Sequence, residues 1–355
     1  MKIVFYGGFQ PGANIETYQQ IPGCGGSEIA LIYTAHELQK LGHQVSIYTF
    51  QYPKEKETIQ NVDYGSVQDM MHQFQKEQID AFIISRYVHG ILFQWAWAAK
   101  KIFIWVHDVC FHPASFGPRL DAAKTVRQHW DYITNIVCVS QWQIHNLNSI
   151  NGYSLQEKGI VIGNGLSQSL LENCEIETSK IPFSFIWCSH HARGLTNLIR
   201  MWPLLKTKIF STFQINPSLT ICGETIPENQ IVLDEFLNNN DLITLLGKIP
   251  QSIMFEHMKK SHIWFYPTNF HETYCMVALE CELAECICIA ADIAALKETI
   301  GDRGTIYHPS LNDDQVTDLV IQTLQKEFSS QKQKQWALEQ TWKQRALQWE
   351  KIMLC

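Results

Sequence analysis

The sequence predicts an α/β protein built from two doubly wound, parallel-sheet domains, and three observations carry that expectation. Short apolar runs alternate with amphipathic helical stretches along the chain, the pattern of parallel strands joined by crossover helices. The polar, acidic stretch SQSLLENCEIETSKIP at 167–182 breaks the alternation without a clean apolar period and reads as a linker. With 355 residues, each half is long enough to bury its own core.

In the first half, Ile3 to Tyr6 reads as a strand ending at Gly7-Gly8, followed by a loop that reaches PGCGGSE (Pro22 to Glu28) and a helix running to Leu41. Glycines at 23, 25 and 26 let backbone approach a ligand, and Ser27 is placed to cap the helix. A phosphate cradle and a plain strand-to-helix turn both fit that loop, which is not the dinucleotide fingerprint because G-x-G-x-x-G is absent. Gln44 to Phe50 follows as a strand, then a helix near Val67 to Lys76, a strand at Ala81 to Ser85, a helix near Ile91 to Ala99 and a strand at Lys101 to Val106. His107-Asp108 falls at that strand's carboxyl end, where open α/β sheets form ligand crevices; a histidine satisfied by a backbone carbonyl is the plainer reading. Asn135 to Ser140 and Gly159 to Gly163 complete the half, with Asn164-Gly165 as a turn.

The second half opens with a strand at Phe183 to Cys188, which turns through Ser189-His190-His191-Ala192-Arg193-Gly194 into a helix at Thr196 to Leu205. An arginine beside glycine at a helix start suits an anion, although an arginine on a solvated turn has the same sequence. Strands at Ser218 to Cys222 and Ile243 to Leu246 follow, the latter ending in Gly247-Lys248-Ile249. The densest stretch is HIWFYPTNFHETYCMVALECELAECICIAADIAALKETIGDRG at 262–304. It reads as a strand, a turn through Thr268, Asn269 and Phe270, a helix with Glu272 near its start and Glu280 inside it, a strand at Ile287 to Ala290, and a short helix carrying Glu298. On one helix those glutamates stand about 12 Å apart, beyond the roughly 5–9.5 Å of glycosidase carboxylate pairs. The gap instead suits a long ligand read at two points, with the helix's first free amides (Tyr274, Cys275, Met276) facing an anion between them. A nucleotide-sugar has that layout. From Gln331 to Cys355, Trp336, Trp342, Leu347 and Trp349 are spaced as one buried helical stripe.

The run P-T-x-F-x-E-T-Y-C-x-x-x-L-E at 267–280 resembles the Glu-x7-Glu signature of family-4-like retaining glycosyltransferases, the glycosyl transferases group 1, which have the GT-B fold. The resemblance departs from the family where Tyr274 or Cys275 stands for a glycine and Ala284-Glu285 for Ala-Gly. It is extended by S-x-x-x-R-G-L at 189–195, by Gly25-Gly26, by His107-Asp108, by the V-S step in VCVSQWQ at 137–143 and by the Asn164-Gly165 exit. It implies two Rossmann-like domains facing a central cleft: an acceptor-side domain at 1–166, a linker at 167–182, a nucleotide-sugar domain at 183–335, and a helix at 336–355 crossing back to the first domain.

The resemblance also implies residue roles. Glu280 would hold the ribose, Glu272 would approach the donor sugar, and Arg193 with the amides of Tyr274, Cys275 and Met276 would bind the diphosphate. Gly25 and Gly26 would close over donor phosphate and acceptor. His107 would hold the sugar or its phosphate, and Lys248 and Ile249 would line the base pocket. A second basic residue is usual five positions before Arg193; here that place holds Cys188, for which Lys248, His190 or His191 are the candidate substitutes. Relatives often carry a glutamate where Glu298 stands, which equally reads as a helix-surface carboxylate.

Composition narrows the alternatives. Charged residues are 18% and aromatics 12%, a globular composition, and a net charge of −7 argues against a general nucleic-acid binder. Eleven cysteines, odd in number and set in apolar runs, read as reduced core residues of a cytoplasmic protein, and their spacing offers no zinc site. The first strand starts almost at Met1, which reads as leaving no room for a signal peptide. The most apolar region, 81–106, is broken by Arg86, His89, Gln94, Lys100 and Lys101, so no membrane span is expected, while peripheral membrane contact stays open. The expectation is a metal-independent, cofactor-free retaining glycosyltransferase that moves a sugar from a nucleotide-diphosphate-sugar to a glycan, lipid or small-molecule acceptor. An inactive nucleotide-sugar-binding protein, and another GT-B enzyme such as an epimerase or inverting transferase, remain as alternatives; donor base, acceptor and oligomeric state are open.

Overall fold

The computed structural model describes residues 1–8, 14–18, 25–50, 52, 55–112, 121–152, 154–155, 157–224, 227–238, 242–326 and 329–355. In chain order the elements are β1 (Lys2–Tyr6), α1 (Gly26–Lys40), β2 (Gln44–Thr49), β3 (Glu57–Ile59), β4 (Val62–Ser66), α2 (Val67–Lys76), β5 (Ala81–Ser85), β6 (Lys101–Val106), α3 (Ala122–Gln128), β7 (Asn135–Cys138), α4 (Gln141–Asn151) and β8 (Gly159–Val161). There follow α5 (Gln168–Cys174), β9 (Ile181–Cys188), α6 (Leu195–Phe213), β10 (Ser218–Cys222), α7 (Pro227–Asn238), β11 (Ile243–Gly247), α8 (Gln251–Lys260), β12 (Ser261–Tyr266) and α9 (Met276–Leu283). The chain ends with β13 (Ile287–Ala291), α10 (Leu296–Ile300), β14 (Thr305–Tyr307), α11 (Asp313–Leu324), α12 (Gln331–Glu339) and α13 (Trp342–Leu354). Two compact units result, Met1–Gly165 with Gln340–Cys355, and Leu166–Glu339.

The first unit holds a sheet in the order β3-β4-β2-β1-β5-β6-β7-β8. Its pairs are parallel apart from the antiparallel β3/β4 hairpin. Its central strands read as continuous apolar runs because helices cover both faces of such a sheet. Phe5, Phe82, Ile83, Phe103, Ile104 and Trp105 have no exposed surface. Strand order reverses between β1 and β5, which puts the ends of those strands at the place where doubly wound sheets bind ligands. The residues expected as a helix at Ile91 to Ala99 instead form two short 3-10 turns, Val88–Leu92 and Gln94–Ala98. Phe93 joins the turns and stacks on Trp95 at 5.2 Å, and the Trp97 indole donates back to the Ile91 carbonyl at 2.7 Å, a local closure that competes with a continuous helix.

The expected C-terminal stripe is also divided. In the first unit, α13 packs on α1, with Trp342 stacked on Tyr33 at 6.0 Å and Trp349 against Trp105 at 5.1 Å. Arg345 donates through Nε to the Asn164 carbonyl at 2.9 Å, while Leu347 faces solvent. Trp336 lies on α12 in the second unit, where the Arg303 guanidinium sits 3.5 Å over its ring.

The second unit's sheet runs β11-β10-β9-β12-β13-β14 and is parallel throughout. Its order reverses between β9 and β12, so the loops at 189–194 and 267–275 leave the sheet side by side at the second switch point. The stretch at 167–182 contains α5, capped by the Ser167 hydroxyl. Lys180, just before β9, lies at the other end of the strands and donates to the carbonyls of Met258, Ser261 and Ala284 at 3.2, 2.6 and 2.5 Å. These carbonyls lie at the carboxyl ends of α8 and α9, where few backbone donors follow; the Met258 carbonyl also accepts the Ser261 amide.

Candidate functional site

The loop after β9 reaches α6 through a single 3-10 turn at His191–Arg193 and then Gly194 at φ +113°. A Cβ at Gly194 would stand 2.9 Å from Thr268 Cα and 3.0 Å from the Pro267 carbonyl oxygen, so glycine is what lets the two switch-point loops touch. The contact is then fixed by polar bonds. Thr268 Oγ1 donates to the Arg193 carbonyl at 2.5 Å and receives the Phe270 amide at 2.9 Å, and Asn197 Nδ2 donates to the Pro267 carbonyl at 2.9 Å. Gly194→Ala is expected to cost about 2 kcal/mol or more of folding stability, from the left-handed backbone and the clash together, measured by denaturant unfolding.

This junction brings Arg193 onto Glu272. Arg193 Nη1 donates to Glu272 Oε1 at 2.9 Å while the guanidinium lies 4.4 Å over the Phe270 ring. Tyr266, at the end of β12, donates its hydroxyl to the same Oε1 at 2.7 Å. Glu272 Oε2 accepts from none of the described residues, and the side chain is largely buried.

Glu272 does not sit on a helix, contrary to the expectation. The helix begins four residues later at Met276, after Cys275 adopts φ +70°, ψ +78° as its N-cap. That left-handed residue is one of the two, Tyr274 or Cys275, that stand where the resembled pattern carries glycine, and it ends any continuous helix from Glu272 to Glu280. The helical-rise spacing of the two carboxylates therefore does not apply, and neither does the exclusion of a two-carboxylate hydrolase drawn from it. Tyr274 and Cys275 likewise lie before the helix rather than in its first turn. Both are buried; the Tyr274 carbonyl accepts the Thr299 hydroxyl, and the Cys275 carbonyl accepts the Ala278 amide at 3.1 Å. The Met276 amide opens the helix.

Glu280 lies inside α9 and is only 3% exposed. Gln251, the first residue of α8, donates Nε2 to Glu280 Oε1 at 2.5 Å, and Oε2 has no hydrogen-bond partner among the described residues. Burial pushes the Glu280 carboxyl up to about 7, against the pull of the Gln251 bond. The same residue ties α9 to the 247–250 loop, where Lys248 is exposed and paired with Glu224 at 3.2 Å and Ile249 is half-buried. Two helix positions on, burial raises Glu282 to about 8 although Arg303 Nε donates to both of its oxygens at 3.2 Å.

The candidate substitutes for a second cation are occupied or neutral. Cys188 is buried, and burial with the neighbouring Cys222 pushes its thiol well up, so it carries no charge. His191 is 1% exposed and burial lowers it to about 4, a neutral ring whose nitrogens have no hydrogen-bond partner among the described residues. His190 is exposed and accepts the Ala192 amide at 3.2 Å. Glu298 faces solvent on α10.

In the first unit, His107 follows β6, with Nε2 3.3 Å from Ser85 Oγ and its ring 4.6 Å from Trp105. Desolvation lowers it to about 3 despite Asp108 beside it, so the ring is neutral. Asp108 is gripped by Arg86 through Nε at 2.9 Å and Nη2 at 3.2 Å, and Arg86 Nη1 lies 3.8 Å from Glu28. Gln143 fixes the turn by donating to the Asp108 carbonyl at 2.7 Å. Gly25 and Gly26 open α1: Gly25 is its N-cap with no side-chain cap, and Ser27, the expected cap, instead donates to Glu28 at 3.0 Å. Pro22, Gly23 and Cys24 lie outside the described residues, as does 113–120.

The structure thus groups Arg193 with Glu272 and Glu280 with the loop of Lys248 and Ile249 in one unit, and His107 with Asp108 and Gly25 with Gly26 in the other. Sequence reasoning missed Tyr266, Gln251 and the Arg86–Asp108 grip. A tyrosine closing a strand just ahead of a carboxylate-bearing turn was a usable signal for the first.

Residues 186–341 match the family model described as glycosyl transferases group 1. No curated protein matches the chain in sequence. In three dimensions the chain is similar to sucrose-phosphate synthase from Thermosynechococcus elongatus, with a TM-score of 0.74 at 12% identity over 99% of this chain and 98% of that one. It is also similar to HepE from Anabaena in complex with UDP, with a TM-score of 0.69 at 14% identity over 99% of each chain. The same protein with UDP-glucose gives 0.68 at 14% identity over 99% and 98%. These likenesses establish the fold, which is GT-B.

Proposed function

We propose, from the match of residues 186–341 to the family described as glycosyl transferases group 1 and from the GT-B fold, that the chain moves a sugar from a nucleotide-diphosphate-sugar to a glycan, lipid or small-molecule hydroxyl, with retention and without a metal. One observation carries the reading. In the second unit two buried glutamates each have one oxygen held by protein and one without a hydrogen-bond partner among the described residues, and Arg193 is held on the first of them, four residues before α9 begins. Open carboxylate oxygens accept from hydroxyls, and an arginine with a helix N-terminus binds phosphate.

In this reading Glu280 takes the ribose hydroxyls and Glu272 those of the sugar. Arg193 and the Met276 amide, with Tyr274 and Cys275 shaping the loop ahead of it, take the diphosphate; Lys248 and Ile249 flank the base. As the bond from the anomeric carbon to the diphosphate breaks and the acceptor oxygen attaches, its hydroxyl proton passing to the departing diphosphate, Arg193 offsets the charge that builds on the leaving group, work that a divalent metal does elsewhere. His107, neutral and so able to donate and accept at once, serves the sugar or its phosphate, and Gly25 and Gly26 the phosphate or acceptor. HepE, solved with UDP and with UDP-glucose, makes UDP-sugars the first donors to try.

Cys188, uncharged where the family pattern has a basic residue, together with Lys248 already paired to Glu224, is the specific support for a second reading: a nucleotide-sugar-binding protein without turnover. A thermal-shift screen of UDP, GDP, ADP and their sugars tests both, since a ligand bound only by the folded state raises its melting temperature. The transferase reading expects one nucleotide family to stabilise the protein, its sugar to be released or transferred with the same anomeric configuration by NMR, and EDTA to change little. Binding without any turnover selects the second reading; activity lost to EDTA and restored by Mg²⁺ removes the metal-free claim.

A further inference from the structure

Tyr266 is fully buried, its ring 5.0 Å from Trp264 in a near-parallel stack and 5.1 Å from Trp187 on β9. Its hydroxyl lies 2.7 Å from Glu272 Oε1 and 3.3 Å from Ser189 Oγ. A phenol has one proton to give, so donation to the carboxylate makes Ser189 the donor to Tyr266, and the order Ser189 to Tyr266 to Glu272 is fixed. Burial and the adjacent carboxylate push the phenol well above its usual range, which keeps it a donor.

Arg193 shares Oε1 with Tyr266, but the two donors are not equivalent. The Arg193 side chain is 39% exposed, and its guanidinium is the group assigned to the departing diphosphate. If it turns toward that charge, Glu272 loses one donor while it must hold its plane. The phenol, packed against Trp264 and Trp187, has no exposed surface and no other charge among the described residues to turn toward.

We propose that Tyr266 is a positioning residue: it locks the Glu272 carboxylate through Oε1 so that Oε2 keeps its direction toward the hydroxyls of the transferred sugar, and it takes no part in holding the nucleotide. The inference rests on the sugar role of Glu272 proposed above. Two tryptophan walls and a serine relay make this a built support rather than a chance contact.

Tyr266→Phe keeps the ring and removes only the hydroxyl. With the donor selected by the screen, kcat is expected to fall about ten- to a hundredfold, while the Kd for UDP alone stays within about twofold. Glu272→Gln supplies the partner measurement: the double variant should be no slower than Glu272→Gln alone to within about twofold, because the phenol acts through that carboxylate. A Tyr266→Phe enzyme with wild-type kcat, equal losses in kcat and UDP affinity, or additive effects in the double variant would each overturn the inference and leave the donor reading standing. A wild-type protein that binds no nucleotide-sugar would overturn the donor reading and this inference with it.

Discussion

Replacing Arg193 by alanine is expected to lower kcat by about 10²- to 10³-fold, the scale of removing one preorganised donor from a developing anion. The guanidinium is the charged group that the two switch-point loops hold against Glu272, with Phe270 beneath it and Thr268 on its carbonyl. No second permanent cation stands in the 188–193 stretch, and Cys188 and His191 are neutral. The loss should therefore fall more on turnover than on UDP affinity, because charge on the leaving group is greatest in the transition state. Arg193→Lys should recover part of it, restoring charge without the fork. Steady-state kinetics beside calorimetry with UDP separate the two quantities; an Arg193→Ala enzyme with undiminished kcat would remove Arg193 from the chemistry.

Glu280→Ala is expected to weaken nucleotide binding about a hundredfold, through loss of charge-assisted bonds from the ribose hydroxyls. The same residue gives binding a pH signature. Burial without a facing cation, only Gln251 on one oxygen, raises Glu280 to about 7. Ribose hydroxyls donate and so require the ionised form. Affinity should fall about tenfold per pH unit below about 7 and level off above it. Stability of the ligand-free protein carries the opposite sign. The folded value lies above the 4.5 of a free glutamate, so ionising Glu280 weakens the fold as pH climbs from 4.5 to about 7. Glu280→Gln should flatten both profiles, and calorimetry from pH 5.5 to 8.5 with chemical unfolding over the same span reads them. A wild-type affinity that does not change across that span would separate Glu280 from the nucleotide.

What the sequence disclosed follows from how each element is buried. The strands Phe183 to Cys188, Ser218 to Cys222 and Ile287 to Ala290 were readable because parallel strands covered on both faces are largely apolar, interrupted here only by Ser184, Ser218 and Thr220, and the structure differs only at their ends, at Ile181 and Ala291. The β3/β4 hairpin carries Glu57, Thr58 and Asp63 at a sheet edge, and polar edge residues have no such period. Phe93, Trp95 and Trp97 satisfy a helical and a turn pattern equally; the Trp97 bond to the Ile91 carbonyl decides between them.

At the site, residue types were legible and their support was not. Arg193, Glu272 and Glu280 carry chemistry that a motif records. The placement of Glu272 off the helix depends on Cys275 holding a left-handed backbone, which in a residue other than glycine leaves no mark in the sequence. Gln251 and Tyr266 meet their glutamates only through tertiary packing.

The proposal reduces to two carboxylates reading the two ends of one donor, and a crystal structure with UDP-glucose bound measures that directly. The account predicts ribose hydroxyls within hydrogen-bond distance of Glu280 Oε2, glucose hydroxyls on Glu272 Oε2 and the diphosphate between them on Arg193 and the Met276 amide. A donor bound elsewhere, or both carboxylates left without contact to it, would contradict it.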